Sequence, residues 1–155
     1  MFRAVEGAED DREAGGRAVQ FRGVSRRDVV VGIAASGRTP FVHGALAEAR
    51  RRGAFTVLLC FNPALARVRG LARVVIAPDI GPEILTGSTR LKSGTATKLI
   101  LNLFTTLAMV RVGKVIGNLI CIGGRIISIS HNTNEVHPFK IFKKFIHFLL
   151  QNSFL

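Results

Sequence analysis

Apolar positions in this chain fall into short continuous runs, punctuated by small and polar residues, rather than into long alternations. The run from Asp28 through Val29, Val30, Val31, Gly32 and Ile33 to Ala35 is β-branched on both sides of its pleat. That pattern predicts a strand buried on both faces. Ser36-Gly37-Arg38-Thr39-Pro40 then predicts a turn into a helix, with Thr39 as N-cap and Pro40 as the first helical residue. The helix is expected to reach about Arg52, to turn Phe41, Ala45, Leu46 and Ala49 toward the sheet, and to end at Gly53. Thr56 to Phe61 reads as a second buried strand broken by Asn62-Pro63. Residues 64–71 allow a short helix, and Val74 to Ala77 reads as a third strand stopped by Pro78. Strand, helix, strand, short helix, strand is a βαβ series, and it predicts an α/β fold with a parallel sheet.

Outside this series the pattern is looser. Residues 1–16 are charged and contain glycine, with short helical character at best. Thr95 to about Val112 predicts a long helix that grows more apolar along its length. The apolar region from Leu99 to Ile122 contains Arg111 and Lys114, so it reads as core helix plus strand or loop rather than a membrane span. After Gly124 the composition shifts: Arg125 is the last arginine, and five of the 11 Phe lie between Phe139 and Phe154. This divides the chain into a domain over residues 1–122 and a basic, aromatic tail over 123–155. Two readings of the tail stay open. One is an amphipathic helix over 139–150 lying on a membrane surface; the other is a segment read from unrelated or misjoined coding sequence, which would leave no membrane contact.

Charge changes the picture less than its size suggests. The net charge is +12, from 22 Lys and Arg against 10 Asp and Glu. Such an excess raises nucleic-acid binding as a function class, because cations neutralise phosphates without any particular sequence. However, the 16 Arg are scattered from Arg3 to Arg125. No zinc-finger spacing, aromatic RNA-binding strand or glycine-arginine repeat accompanies them, so no nucleic-acid partner is expected. Cys60 and Cys121 each sit in an apolar run without metal-site spacing, and they read as buried thiols in a reducing compartment. The acidic stretch from Glu6 to Glu13 argues against a signal or transit peptide.

Two segments carry candidate chemistry. Ser36-Gly37-Arg38-Thr39 lies between a buried strand and a helix N-terminus, where unpaired backbone N–H groups and two hydroxyls suit an oxyanion. The same turn serves equally as a plain helix cap. Its place at the C-terminal end of a parallel strand favours a ligand, because crevices form there. The second segment runs from Gly81 to Lys98 and is dense in small, polar and charged side chains, including Glu83, Ser88, Thr89, Arg90 and Lys92.

The Gly81–Lys98 segment resembles the signature shared by bacterial N-acetylmuramic acid 6-phosphate etherases and animal glucokinase regulatory proteins. Val5 to Asp10, Asp28 to Pro40, Asn102 and Gly113 to Leu119 are similar to the etherase pattern, so the resemblance covers about residues 3 to 120. It implies a partial sugar isomerase (SIS) domain, a three-layer α/β sandwich that forms a homodimer. It further implies a cytoplasmic lyase of peptidoglycan recycling. Such a lyase cleaves the D-lactyl ether of N-acetylmuramic acid 6-phosphate to N-acetylglucosamine 6-phosphate and D-lactate. No cofactor or metal is implied, because the open-chain aldehyde itself acidifies the neighbouring C2 proton. By motif position, Glu9 matches one catalytic carboxylate, and Ser36, Gly37, Arg38 and Thr39 match the phosphate-binding turn. Glu83, Ser88, Thr89, Arg90 and Lys92 belong to the signature loop, with bracing and substrate contact both open as roles.

The sequence also departs from the family pattern. The pattern has a strand leading to a Gly-x-Gly-Thr-Ser-Gly-Arg turn and an Ala-Ser-Glu-Cys-Pro-Pro segment with the other catalytic glutamate. Neither has a counterpart here. The polypeptide by itself is therefore expected to lack etherase activity, and the first strand is expected to show an open edge. A non-catalytic sugar-phosphate-binding or regulatory protein of the same family is the alternative.

Overall fold

The computed structural model describes residues 7–116 and 119–120, so the tail lies outside the described residues. Three parallel strands form the sheet: β1 (Val29–Ile33), β2 (Phe55–Leu59) and β3 (Val74–Ile76), in the order β1-β2-β3. Val29 is opposite Phe55 and Ile33 opposite Leu59, while Val57 is opposite Val74. Leu58 and Leu59 are both fully buried. Successive residues of a strand point to opposite faces, so both faces of β2 are covered. Val30, Leu58 and Cys60 belong to the core on one face, and Val31, Val57 and Leu59 to the core on the other. This is the three-layer α/β arrangement expected from the continuous apolar runs. β1 is an edge strand among the described residues, also as expected.

The first face is covered by α1 (Arg12–Phe21) and α2 (Pro40–Arg51), which supply Val19, Ala45, Leu46 and Ala49. Only the first five residues of α1 fall within 1–16, where short helical character is expected; its continuation to Phe21 is not foreseen from the sequence. Asp11 caps it by accepting the Ala14 N–H at 2.8 Å, and Arg17 reaches back to Asp11 at 3.0 Å. Its two adjacent glycines weaken it as an isolated helix, but Gly15 permits close contact with α2. A Cβ on Gly15 would run into the carbonyl oxygen of Phe41, and one on Gly44 into that of Arg12. Backbone meets backbone there, which no hydrophobic period announces.

Asn62 opens a 3-10 helix, Pro63–Arg67, that connects β2 toward β3. α3 (Lys92–Arg111) begins nearly a turn before the expected Thr95 and lays Ile100 on the second face of the sheet. It corrects the expectation of a core helix. Ser93 is its one buried residue, whereas Leu99 and Leu103 are 62% and 56% exposed. The face explains this: Leu99, Leu103 and Leu107 follow one another at intervals of four along α3, on a stripe separate from Ile100, which packs on the sheet. Beyond α3, β4 (Val115–Ile116) and β5 (Leu119–Ile120) pair antiparallel.

Candidate functional site

The turn after β1 is built from both ends. On the strand side, the Ala34 N–H donates to the Leu59 carbonyl at 3.0 Å, and the Gly37 N–H donates back to Ala34 at 2.8 Å. Gly37 has φ +70°, in the left-handed region where glycine is favoured. It is also buried, and a Cβ there would overlap Leu65 and press on Cys60 at 3.1 Å. The turn is thus seated on Leu65 of the Pro63–Arg67 helix and on Cys60 just past β2, whose buried thiol is part of that seat.

On the helix side, the His43 ring places Nε2 2.9 Å from the Gly37 carbonyl. A carbonyl only accepts, so Nε2 must carry the hydrogen. His43 therefore ties α2 back onto the turn it follows. Sequence reasoning missed it, since a histidine three residues into a helix carries no spacing signal.

The helix end holds fewer open donors than the sequence suggested. Pro40 has none. The Arg38 N–H is spent on Ser36 Oγ at 3.2 Å, and the Phe41 N–H on the Glu9 carbonyl at 3.0 Å. Thr39 is the N-cap, but its hydroxyl makes no capping bond, contrary to the expected cap. The N–H groups of Thr39 and Val42 make no hydrogen bond among the described residues. The Ser36 hydroxyl accepts and so keeps its proton to donate. Arg38 is exposed and joins no ion pair among the described residues. Two open amides, the Ser36 and Thr39 hydroxyls with protons left to donate, and the Arg38 guanidinium thus lie at the positive end of α2, a set that suits a phosphate.

Glu9 comes to the same helix end. Its main chain is held by Phe41, and its side chain is exposed. The structure thus brings the Glu9 main chain to the first turn of α2, the helix that the Ser36–Thr39 turn leads into.

The signature loop divides by role. Glu83 Oε2 and Oε1 accept the Lys92 and Ser93 N–H groups, each at 2.9 Å. These bonds, Ser93 first and then Lys92, lower its carboxyl pKa. Glu83 is accordingly the cap of α3, in place of Leu91, whose side chain offers no acceptor. Ser88 Oγ accepts the Arg90 N–H at 3.4 Å, and Lys92 Nζ reaches the Ile80 carbonyl at 3.5 Å, so these residues brace the loop. Thr89 instead lines a crevice of about 470 Å³. Its apolar wall is Ile33, Ala35, Phe61 and Leu101; its polar wall is Thr89, Ser93, Thr97, Lys98 and Asn102. The crevice opens at the C-terminal ends of β1 and β2, adjoining the turn that starts at Ser36, where parallel sheets bind ligands. Lys98 and Thr97 were not singled out by sequence reasoning. Among the described residues, no three His, Cys, Asp or Glu side chains are grouped to hold a metal ion, and no helix is long and apolar enough to cross a membrane.

No family model matches the chain. It is 55% identical over 119 residues to the N-acetylmuramic acid 6-phosphate etherase of Mesorhizobium japonicum, a match spanning 77% of this chain and 38% of that protein. The etherase of Jannaschia sp. is 55% identical over 115 residues, spanning 74% of this chain and 36% of that protein. The etherase of Rhodopirellula baltica is 54% identical over 118 residues, with 76% and 39% covered. The chain thus spans under two fifths of the length of the curated relatives it matches.

Proposed function

For a chain that belongs to the N-acetylmuramic acid 6-phosphate etherase family, we propose that residues 36–39 hold the phosphate of a 6-phosphorylated amino sugar. Glu9 then stands at the sugar as one of the two carboxylates that cleave its lactyl ether. The observation that carries this reading is the hydrogen bond from the Phe41 N–H to the Glu9 carbonyl. It ties a carboxylate-bearing residue to the helix end whose free donors suit phosphate.

Ether cleavage of this kind proceeds by elimination and hydration. A base removes the C2 proton beside the open-chain aldehyde, an acid protonates the departing lactyl oxygen at C3, and water adds to the resulting double bond. Two carboxylates with separated pKa values serve as base and acid. Glu9 supplies one of these, in a cytoplasmic homodimeric enzyme; the second carboxylate has no counterpart in this sequence. The same residues bind without cleaving when that second group is lacking, so a sugar-phosphate-binding role is the reading for the polypeptide by itself.

Selectivity tests the proposal. Calorimetric titration at about 0.15 M salt, where diffuse attraction to the +12 charge is screened beyond roughly 8 Å, compares three probes. N-acetylglucosamine 6-phosphate is expected to bind more tightly than inorganic phosphate, and unphosphorylated N-acetylglucosamine more weakly than either. Equal affinity for the phosphorylated and unphosphorylated sugars would overturn it.

A further inference from the structure

We propose that the crevice between β1, β2 and α3 is a subsite for a carboxylate carried by the sugar phosphate, with Lys98 as its counter-ion. The proposal rests on the phosphate reading of the Ser36–Thr39 turn and extends it to the other end of the ligand.

The crevice and the turn meet along the chain, because Ala35 lines one and Ser36 begins the other. They lie on opposite sides of the sheet edge. The turn feeds α2, which covers the Val30–Leu58 face, whereas the polar wall comes from α3 on the Val31–Leu59 face. A ligand with its phosphate at the turn therefore straddles the strand ends and presents its far side to α3.

That far wall is chosen for oxygen and for negative charge. Ser93 and Thr97 sit one helical turn apart, and so do Lys98 and Asn102, which places two polar rows side by side along α3. No Asp or Glu lines the crevice. The nearest carboxylate in sequence, Glu83, is committed to the Lys92 and Ser93 amides, and Lys98 joins no ion pair among the described residues. An ammonium beside two hydroxyls and an amide lacks an anion. Ile33, Phe61 and Leu101 form the apolar side of the same crevice, against which the sugar ring can lie. A second phosphate would be bulkier and more charged than one ammonium balances. The relatives are named for N-acetylmuramic acid 6-phosphate, a molecule with one phosphate and one carboxylate. The carboxylate fits the single cation.

Paired titrations of the 155-residue chain test this, using N-acetylmuramic acid 6-phosphate and N-acetylglucosamine 6-phosphate, which differ by the lactyl group. The acid sugar is expected to bind about tenfold more tightly, the increment of one charge-assisted hydrogen bond. Lys98→Met is expected to erase that preference while leaving N-acetylglucosamine 6-phosphate affinity unchanged, and Lys98→Arg to retain part of it. Lys98 is exposed, so these variants should fold, which circular dichroism checks, and Lys98→Gln gives a second charge-removing change. Equal affinity of the parent for both sugars, or a preference that survives Lys98→Met and Lys98→Gln, would overturn the subsite while leaving the phosphate turn standing. Failure of both sugars to bind would overturn the turn and the subsite together.

Discussion

The Phe41 N–H donates to the Glu9 carbonyl at 3.0 Å, so the first turn of α2 holds the segment that carries the candidate carboxylate. The bond uses a donor that would otherwise be open at a helix N-terminus. It makes the position of Glu9 depend on how α1 and α2 pack, since Asp11 caps α1 two residues later. Glu9, the Asp11 cap and the turn from Ser36 to Thr39 thus meet around the start of α2.

Substitutions at two neighbouring glycines should have opposite signs for that reason. Gly44→Ala gains about 1 kcal/mol of helix propensity. It also drives a Cβ into the Arg12 carbonyl, and such overpacking costs about 1–3 kcal/mol or more. A net loss is expected, with a lower urea midpoint. At Gly16 a Cβ would meet only Glu48 Cβ and the Gly44 carbonyl at 3.9 Å, ordinary contact distance. Gly16→Ala is therefore expected to stabilise by up to about 1 kcal/mol. Equal effects at the two sites would contradict the close crossing of α1 and α2.

Acid should release the C-terminal end of α2. Glu48 accepts from Arg51 at 2.7 and 2.8 Å and from Arg52 at 2.6 Å. These bonds, Arg51 first, hold its carboxyl down to about 2, against 4.5 for the free group. A depressed folded-state pKa means that the stabilisation is complete above 4.5 and is lost as pH falls toward 2. Glu48→Gln is expected to lower stability at neutral pH and to flatten the fall between about pH 4.5 and 2, read from thermal midpoints across that range. A parent and variant that track in parallel through this window would count against the pairing.

Glu83 offers a local readout. Its carboxylate holds the Lys92 and Ser93 amides, and α3 supplies the polar wall of the crevice. In Glu83→Ala, hydrogen exchange at these two amides is expected to accelerate, while the central α3 amides change little. Unchanged exchange at Lys92 and Ser93 would mean that the cap is dispensable.

The β1–turn–α2 unit was legible because each of its signals is local: a β-branched run, a small-residue turn and a Thr-Pro helix start. Parallel pairing followed from runs apolar on both sides. α1 was not legible, because its reason is tertiary; Gly15 and Gly16 read as helix breakers until Gly15 is seen against the Phe41 carbonyl. His43 escaped likewise, since its ring contact with Gly37 depends on the turn folding back toward the helix. For Glu83, residue type left bracing and substrate contact both open, and the geometry makes it a helix cap. The long α3 misled by composition: its leucines predicted a core, but Leu99, Leu103 and Leu107 share an exposed stripe while Ile100 meets the sheet.

The two uncommitted amides at the start of α2, Thr39 and Val42, allow the most direct test of the central claim. Titration of the isotopically labelled chain with N-acetylglucosamine 6-phosphate, followed by amide proton and nitrogen shifts, reports each donor separately. The largest downfield proton shifts are expected at Thr39 and Val42, as a phosphate takes their open hydrogen bonds, and they should vanish in a Ser36→Ala, Thr39→Val variant. Shifts that spread over the arginine-bearing loops and leave Thr39 and Val42 unmoved would contradict the account.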